Sequence, residues 1–287
     1  MNYKLRIKKI LSILALAACF TTGFMGCDRI PEDQRREISE ELPSWQGQYV
    51  LLEDFTGVRC SNCPETTKEV ERLKEVFGDR LIVIALHSQD YAFNRPIGTS
   101  PDSSGNNQDL RNAQAEEYRI FYNVQSMPAG VVMQKNEILG KDNFYGKILS
   151  NYGRRAFATV NVSASFNDTN ELSVSTNIAF TDNYTGNGNT QLSIMILEDS
   201  LLVTQQTSGG TGVIYNYCQN HVLRAMATPI WGDQLAGSSI SSGSTFNHTT
   251  RISTQAEWKK NKLSAVAILF DNSTKEVIQA GEFRINN

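Results

Sequence analysis

The chain has 287 residues, of which 40% are hydrophobic and 20% are charged, so it has enough apolar material for one large domain or two ordinary ones. Its formal net charge of -3 excludes the strongly basic balance that is typical of proteins that bind nucleic acid. We therefore expect no nucleic-acid partner.

The first 26 residues have the organisation of a bacterial export signal. Four basic side chains within residues 1–9 precede an apolar run at 10–18, and small residues and a cysteine follow. This order predicts a secretory signal peptide. The apolar run is shorter than the roughly 20 residues that a membrane-spanning helix needs, which makes a spanning anchor the less favoured alternative.

A cysteine at the end of such a signal resembles the lipobox of bacterial lipoproteins, and two cysteines compete for this role. Cys19 follows Leu-Ala-Ala, the better match, whereas Cys27 follows Phe-Met-Gly. Cleavage before Cys27 leaves a polar start, while cleavage before Cys19 leaves an apolar one. We favour lipidation of Cys27, with Cys19 as the alternate, and we interpret residues 27–43 as a flexible tether to a membrane.

Residues 49–87 contain the pattern of a buried strand, a tight turn, an amphipathic helix and a second buried strand. The turn carries Cys60-Ser61-Asn62-Cys63. A CxxC pair at a strand-to-helix junction indicates a thioredoxin-type redox motif more strongly than the same pair elsewhere does. The export signal also implies a compartment where disulfides persist.

The position of the pair explains the chemistry that we expect of it. At a helix N-terminus the unpaired N–H groups and the macrodipole stabilise a thiolate at Cys60, and Arg59 adds a positive charge. Cys63 lies one turn further on and can resolve a mixed disulfide, so Cys60 and Cys63 are predicted to form a redox-active disulfide. Zinc is the disfavoured alternative, since no second paired motif supplies ligands, and we expect no metal and no cofactor.

Two further residues support this interpretation. Met127-Pro128 precedes a predicted strand, and a proline in this position resembles the cis-proline loop of thioredoxin-fold proteins, where the loop faces the thiols and holds the substrate backbone. Asp54 lies six residues before Cys60 and matches by position the buried acid of thioredoxin. The resemblance, which covers about residues 44–157, implies a substrate loop at Met127 and Pro128 and a proton shuttle at Asp54. Glu53 is the alternate acid.

The pattern changes after residue 157. Several short segments alternate polar and apolar residues, and Asn-, Gly- and Ser-rich turns separate them. This alternation predicts an antiparallel β-sandwich over residues 158–287. We therefore predict an α/β thioredoxin-like domain at 44–157 followed by an all-β antiparallel, immunoglobulin-like sandwich, with the stretch 88–108 as a loop insertion in the first domain. Cys218, in the second half, is interpreted as a small apolar residue outside the redox pair.

One segment of the second half stands apart, Asn220-His221-Val222-Leu223-Arg224. Together with Thr56-Gly57-Val58-Arg59-Cys60-Ser61-Asn62-Cys63-Pro64 and the lipoprotein start, it resembles the outer membrane protein 28 family, which are lipoproteins of Bacteroidetes-type bacteria. The resemblance implies an outer-membrane lipoprotein of the cell envelope, facing the periplasm or the surface. His221 and Arg224 are candidate ligand-binding residues, with a structural role as polar groups inside the fold as the favoured alternative.

Two functions are compatible with these features. The first is a membrane-tethered thiol–disulfide oxidoreductase that acts on protein thiols or disulfides. The second is a non-enzymatic surface protein, such as an adhesin or a subunit of an uptake or assembly complex, in which Cys60–Cys63 is a structural disulfide.

Overall fold

A computed structural model describes residues 42–167, 171–209 and 212–285 of the chain. Cys19 and Cys27, the predicted signal and most of the predicted tether lie outside the described residues. The described part contains three α-helices: α1 (Cys63–Phe77), α2 (Ala113–Phe121) and α3 (Phe144–Tyr152). Its strands are β1 (Val50–Phe55), β2 (Leu81–Leu86), β3 (Ala129–Val132), β4 (Ala158–Phe166), β5 (Glu171–Phe180), β6 (Tyr184–Thr185), β7 (Thr190–Glu198), β8 (Leu201–Gln206), β9 (Val213–Gln219), β10 (Val222–Met226), β11 (Asp233–Ala236), β12 (Ser239–Ile240), β13 (Thr245–Ser253), β14 (Leu263–Asp271) and β15 (Val277–Arg284).

The predicted strand–turn–helix–strand unit is present. Every residue of β1 and β2 is buried, and the two strands pair in parallel, with α1 as the connection between them. The helix turns Val70, Leu73 and Phe77 inwards at the spacing of one helical face. Gly78, at a φ of 61°, ends the helix, and its N–H donates to the Lys74 carbonyl. This unit fixes where the CxxC turn lies.

The predicted fold class, a thioredoxin-like α/β domain followed by a separate all-β sandwich, is wrong. Strands from both halves of the chain form one mixed eight-stranded sheet in the order β15-β14-β7-β10-β2-β1-β3, with β11 also paired to β7. The join is at β2, where Ala85 pairs in parallel with Val222 of β10 and the Ala85 N–H donates to the His221 carbonyl at 2.8 Å. The architecture of the described residues is therefore mostly β, with few helices.

β7 and β14, the two central strands of the second half, bury both of their faces. In β14, Ala265, Ala267 and Leu269 pack into one apolar core, whereas Val266 and Ile268 pack into another. Successive side chains of a strand point to opposite faces, so a strand that is apolar at every position contributes to two cores. This explains the continuous apolar run that distinguishes β14 from its alternating neighbours.

Different layers cover the two faces of the large sheet. One apolar core includes residues of α1, α2 and α3 together with residues from both faces of β1 and β2, while the other, beside the strands of the second half, is closed by the antiparallel sheet β13-β5-β4. The strands of this smaller sheet alternate buried or half-buried residues with more exposed ones, as the sequence pattern predicts. These strands thus form a three-stranded layer, but the sheet opposite it is shared with the first half of the chain, so the predicted separate sandwich does not form.

Two segments lie over the edge where β1 and β2 end. One is the connection 88–112, which contains only a short 3₁₀ turn at Ala92–Asn94. The other is the hairpin formed by β8 and β9, a two-stranded sheet of its own. Together these segments form the surroundings of the CxxC turn.

Candidate functional site

Cys60 and Cys63 form a disulfide at the start of α1. Cys63 is the first residue of the helix, and its N–H donates to the Cys60 carbonyl at 3.2 Å. Pro64 occupies the first turn, where its missing N–H costs no intrahelical bond. Both cysteines are buried, with exposed fractions of 3% and 2%. A reacting thiol therefore reaches the sulfurs only after a neighbouring segment moves.

Two adjacent carboxyl groups lie in β1 behind the disulfide, on opposite faces of the sheet. Burial raises the pKa of Asp54 to about 7, and its Oδ1 has no hydrogen-bond partner among the described residues. Burial also raises the pKa of Glu53 to about 7, although Gln134 donates to Glu53 Oε1 at 3.1 Å. Both groups are thus poised to exchange a proton near neutral pH.

Asp54 and Glu53 have different neighbours because they lie on opposite faces of the sheet. Asp54 is within electrostatic reach of Tyr217, which in turn interacts with Thr67 on α1. Glu53 instead lies near Tyr122 of the α2 region. Since α1 carries the disulfide at its N-terminus, Asp54 is the acid on the disulfide side of the sheet.

The β8–β9 hairpin covers the CxxC turn with polar contacts that the sequence pattern does not predict. Gln205, which is fully buried, donates through Nε2 to the carbonyls of Gly57 and Cys60, both at 3.1 Å. The hydroxyl of Ser208 donates to the Ser61 carbonyl at 3.3 Å. Gln205 gives no signal of its own in the sequence, because the Cys60 carbonyl that it binds is 145 residues away in the chain.

The first half of the 88–112 connection closes the turn from another direction. The Arg59 N–H donates to the Phe93 carbonyl at 2.7 Å, and the Arg59 guanidinium donates to the carbonyls of Arg95 and Pro96. Phe93 keeps 43% of its surface exposed. The Arg59 charge, which we expected to favour a thiolate, is thus also used to fasten this loop.

Pro128 lies at the end of the sheet that leads into the motif. The Met127–Pro128 peptide bond is cis, and the following residue, Ala129, pairs with Phe55 in the antiparallel β1–β3 ladder. Phe55 is five residues before Cys60 in the sequence. Met127 is half-buried against the core. The structure thereby places Asp54, the CxxC turn and the Met127–Pro128 loop at one end of the sheet.

The structure places His221 and Arg224 at the junction between β10 and its neighbouring strands. His221 has a φ of 58°, its N–H donates to Asp199 Oδ1 at 2.7 Å, and its carbonyl accepts the bond from Ala85 that joins the two halves. Burial lowers the pKa of His221, while the nearby Asp199 opposes that shift. The backbone of His221 therefore has a structural role.

Arg224 forms a buried ion pair with Glu198, with 3.4 Å between Arg224 Nε and Glu198 Oε2.

Cys218 forms no disulfide among the described residues and is half-buried, with its thiol 3.7 Å from Asn220 Oδ1. Cys218, which we interpreted as a small apolar residue, thus lies near the end of β9 beside a polar side chain of the following turn.

Comparisons with known proteins address the family and the fold. The sequence profile of a family described as outer membrane protein Omp28 matches residues 115–287, which is more than half of the chain. Among proteins with curated functions, none matches significantly. The crystal structure of a protein from Agrobacterium tumefaciens is similar over 87% of this chain and 97% of that one, with a TM-score of 0.51 and 15% identity, so the likeness concerns the fold alone.

A domain of the outer membrane lipoprotein Omp28 from Porphyromonas gingivalis matches with a TM-score of 0.30 and 18% identity, over 46% of this chain and 89% of that one. In the part of the chain that the structure describes, no helix has both the length and the apolar character needed to cross a bilayer. The profile match decides the identity: this chain belongs to the Omp28 family of outer membrane proteins.

Proposed function

We propose that this chain is an outer-membrane lipoprotein and carries out thiol–disulfide exchange through Cys60 and Cys63. The observation that supports the proposal is the placement of a disulfide at a helix N-terminus, on the same side of the sheet as the buried acid Asp54 with a pKa of about 7. Thiol–disulfide exchange needs a stabilised thiolate and a group that can supply and accept a proton near neutral pH.

The oxidising direction can be written step by step. The thiolate of a substrate protein attacks Cys60 Sγ, the Cys60–Cys63 bond breaks, and Cys63 leaves as a thiolate that takes a proton from the Asp54 carboxyl. A second substrate thiolate then attacks the substrate sulfur of the mixed disulfide, and Cys60 leaves as a thiolate. The substrate is oxidised by two electrons and the Cys60–Cys63 pair is reduced by two. The reducing direction is the reverse of these steps.

The loop around Met127 and Pro128 is the proposed substrate-binding element. It lies beside the end of β1 that leads into the motif, and the half-exposed Phe93 offers an apolar contact nearby through its link to Arg59. A substrate polypeptide would thus be held between these two loops. Its partners would be protein thiols or disulfides of the envelope.

A second function is favoured by one observation, the burial of both sulfurs. In this alternative the protein binds or assembles other envelope components without catalysis, and Cys60–Cys63 is a structural bond that stabilises the turn. Structural disulfides are typically more resistant to reduction than catalytic ones.

An equilibrium redox titration separates the two functions. The full chain in detergent, carrying Cys218→Ser, would be equilibrated with dithiothreitol or glutathione buffers and read by the mass shift on thiol alkylation. We expect a reduction potential between roughly -270 and -120 mV, the range of dithiol oxidoreductases. A potential below roughly -300 mV would contradict exchange and support the structural bond.

A trapping experiment then tests the roles of the two cysteines. Cys63→Ser should accumulate mixed disulfides between Cys60 and substrate proteins, since the resolving thiol is absent. The matched variant Cys60→Ser should trap none above the level of the double variant. Equal trapping by the two single variants would show that Cys60 is not the nucleophile.

A further inference from the structure

The second half of the 88–112 connection forms one wall of a cavity that the redox chemistry does not use. The cavity has a volume of about 490 Å³ and lies between this connection, β10 and the segment 255–258. That volume is within the range of small-molecule sites, roughly 300–1,000 Å³. Pro101, Gln108, Leu110, Leu223, Arg224 and Trp258 contribute to its lining.

Arg224 reaches this wall because of an irregularity in β10. Leu223 pairs with Leu197 and Ala225 pairs with Ile196, so Arg224 is the extra residue of a β-bulge. Bulges redirect side chains and are frequent next to functional sites. The sequence alternation of β10 gives no sign of this bulge.

The Arg224 side chain is only partly paired although it is buried, with an exposed fraction of 8%. Its Nη2 donates to Gln108 Oε1 at 3.0 Å, its Nε lies 3.4 Å from Glu198 Oε2, and its guanidinium lies over the Trp258 ring. Its Nη1 has no hydrogen-bond partner among the described residues. Burial without a partner is costly for a charged donor, which points to a missing acceptor.

Trp258 also has a buried hydrogen-bond donor. Its exposed fraction is 6%, and its Nε1 has no hydrogen-bond partner among the described residues. The guanidinium carbon of Arg224 is 5.6 Å from the Trp258 ring centroid, so the two unpartnered donors belong to side chains that are in contact. Both atoms are closed off from water, so binding has to be accompanied by a side-chain movement at the wall.

The remaining lining selects among acceptors. Leu110, Leu223 and Pro101 provide apolar surface beside the two donors. Arg111 at the rim is paired with Asp109 at 2.6 Å, and Glu257 adds a negative charge. The Glu257 carboxylate would repel a polyanion more strongly than a monoanion, and a monoanion with an apolar body matches both the donors and the apolar wall.

We propose that this cavity binds a small organic carboxylate, whose oxygens accept hydrogen bonds from Arg224 Nη1 and Trp258 Nε1 and whose apolar body packs against Leu110 and Leu223. The site is independent of thiol–disulfide exchange. Its ligand is either a free carboxylic acid or the C-terminal carboxylate of a peptide, which share this chemistry.

The indole N–H of Trp258 is a direct reporter of binding. The chain has three tryptophans, so the full chain labelled with ¹⁵N-tryptophan gives three indole signals in a ¹H–¹⁵N spectrum, and Trp258→Phe assigns the relevant one. Cyclohexanecarboxylate should shift this signal saturably. Cyclohexanecarboxamide, which has the same shape without the charge, should bind at least about tenfold more weakly, because it loses the charge-assisted bond. N-acetylleucine, compared with N-acetylleucinamide, tests the peptide source.

Two exposed positions, one at the mouth of the cavity and one outside it, keep the test independent of the buried network. Gln255 lines the mouth and is exposed, so Gln255→Trp should plug the cavity and abolish binding without unfolding the chain. Ala256 is also exposed but does not line the cavity, so Ala256→Trp should leave binding unchanged. The double variant Arg224→Met with Glu198→Gln should reduce the preference for acid over amide to about onefold.

Several results would overturn the proposal. They are the absence of a Trp258 shift at roughly millimolar cyclohexanecarboxylate and N-acetylleucine, equal affinity for acid and amide in the unmodified chain, and binding that survives Gln255→Trp. Stronger binding of N-acetylleucine than of cyclohexanecarboxylate would assign the site to a peptide C-terminus, and the reverse order would assign it to a free acid.

Discussion

The disulfide turn and the Arg224 cavity are contrasting sites built on the same connection. Residues 93–96 of that connection bond to Arg59 and close the disulfide turn, whereas residues 100–112 line the cavity. One site is buried and the other has room for a ligand. A single irregular connection can thus cover one site and leave space at another. Its first half is held by the bonds to Arg59, while its second half forms the cavity wall.

The two sites also differ in what their buried polar groups lack. In β1, which leads into the disulfide turn, the acids Asp54 and Glu53 each have an oxygen without a hydrogen-bond partner among the described residues. At the cavity, the corresponding groups are the donors Arg224 Nη1 and Trp258 Nε1. The first arrangement is suited to holding and releasing a proton, and the second to receiving an acceptor. The following predictions test this difference, from the largest expected effect to the smallest.

The largest effect should come from the buried acids. The pKa of Asp54 is about 7 in the folded chain against an ordinary value of 3.8, so the folded state binds the proton more tightly. Its contribution to the free energy of unfolding is therefore present at low pH and is lost as the pH rises from about 4 to about 7. That loss amounts to about 4 kcal/mol. Asp54→Asn should remove this part of the slope, as measured by urea unfolding across the pH range.

Two matched variants control this measurement. Glu53→Gln should remove a similar slope, since burial raises the pKa of Glu53 to about 7 as well. The exposed Asp90→Asn should leave the slope unchanged. A pH profile of Asp54→Asn identical to that of the unmodified chain would show that Asp54 ionises normally in the folded protein and would remove the basis for its proton-shuttle role.

An intermediate effect should come from the close approach of the connection to the motif. A Cβ at Gly57 would lie 2.2 Å from Asn94 Oδ1 and 2.7 Å from the Phe93 carbonyl oxygen. Gly57→Ala should thus lower the free energy of unfolding by about 2 kcal/mol and loosen residues 93–96. Gly146→Ala, in α3 with open space around it, should instead raise stability by up to about 1 kcal/mol.

Gly57→Ala also tests whether a change at one end of the 88–112 connection affects the cavity at its other end. We expect the Trp258 indole signal to keep its position in Gly57→Ala, because the cavity wall begins at residue 100. Thermal unfolding and the indole spectrum together give the answer. A displaced indole signal would mean that the connection transmits changes from the motif to the cavity.

The smallest effect should come from the hairpin that covers the disulfide. Gln205→Ala removes the donor to the Cys60 and Gly57 carbonyls and deprives the buried Gln219 side-chain amide of its acceptor, Gln205 Oε1, which costs about 1.4 kcal/mol. We expect reduction of the disulfide by dithiothreitol to become about tenfold faster, since each 1.4 kcal/mol corresponds to a factor of ten. The control Gln255→Ala at the cavity rim should react at the original rate. Unchanged reduction in Gln205→Ala would exclude the hairpin as the barrier to the sulfurs.

The elements that the sequence predicted correctly depend on short-range physics. The strand–turn–helix–strand unit follows from apolar runs, helical spacing and Gly78, all within about 40 residues. The burial of Asp54 follows from its place in an apolar strand. The Omp28 resemblance rests on two short segments and agrees with the profile match over residues 115–287.

The fold class failed for a reason that is also physical. A strand that is apolar on both faces, such as β2, lies inside a sheet, where both faces are covered and a strand pairs with each edge. Its own residues do not indicate which strand pairs with the second edge. Here that strand is β10, whose pairing at Val222 and Ala85 joins positions 137 residues apart. The local sequence predicts neither the bulge at Arg224 nor the hydrogen bonds from Gln205 to the CxxC motif.

The sequence by itself determined the unit of β1, α1 and β2, that two cysteines lie at the start of α1, and which family the chain belongs to, because periodicity, turn residues and short motifs are local properties. The tertiary structure alone decided that one sheet unites both halves, that the β8–β9 hairpin buries the disulfide, and that Arg224 and Trp258 meet at a cavity. Those outcomes depend on pairing between distant strands, where many partners satisfy the same alternation and only the complete packing selects one.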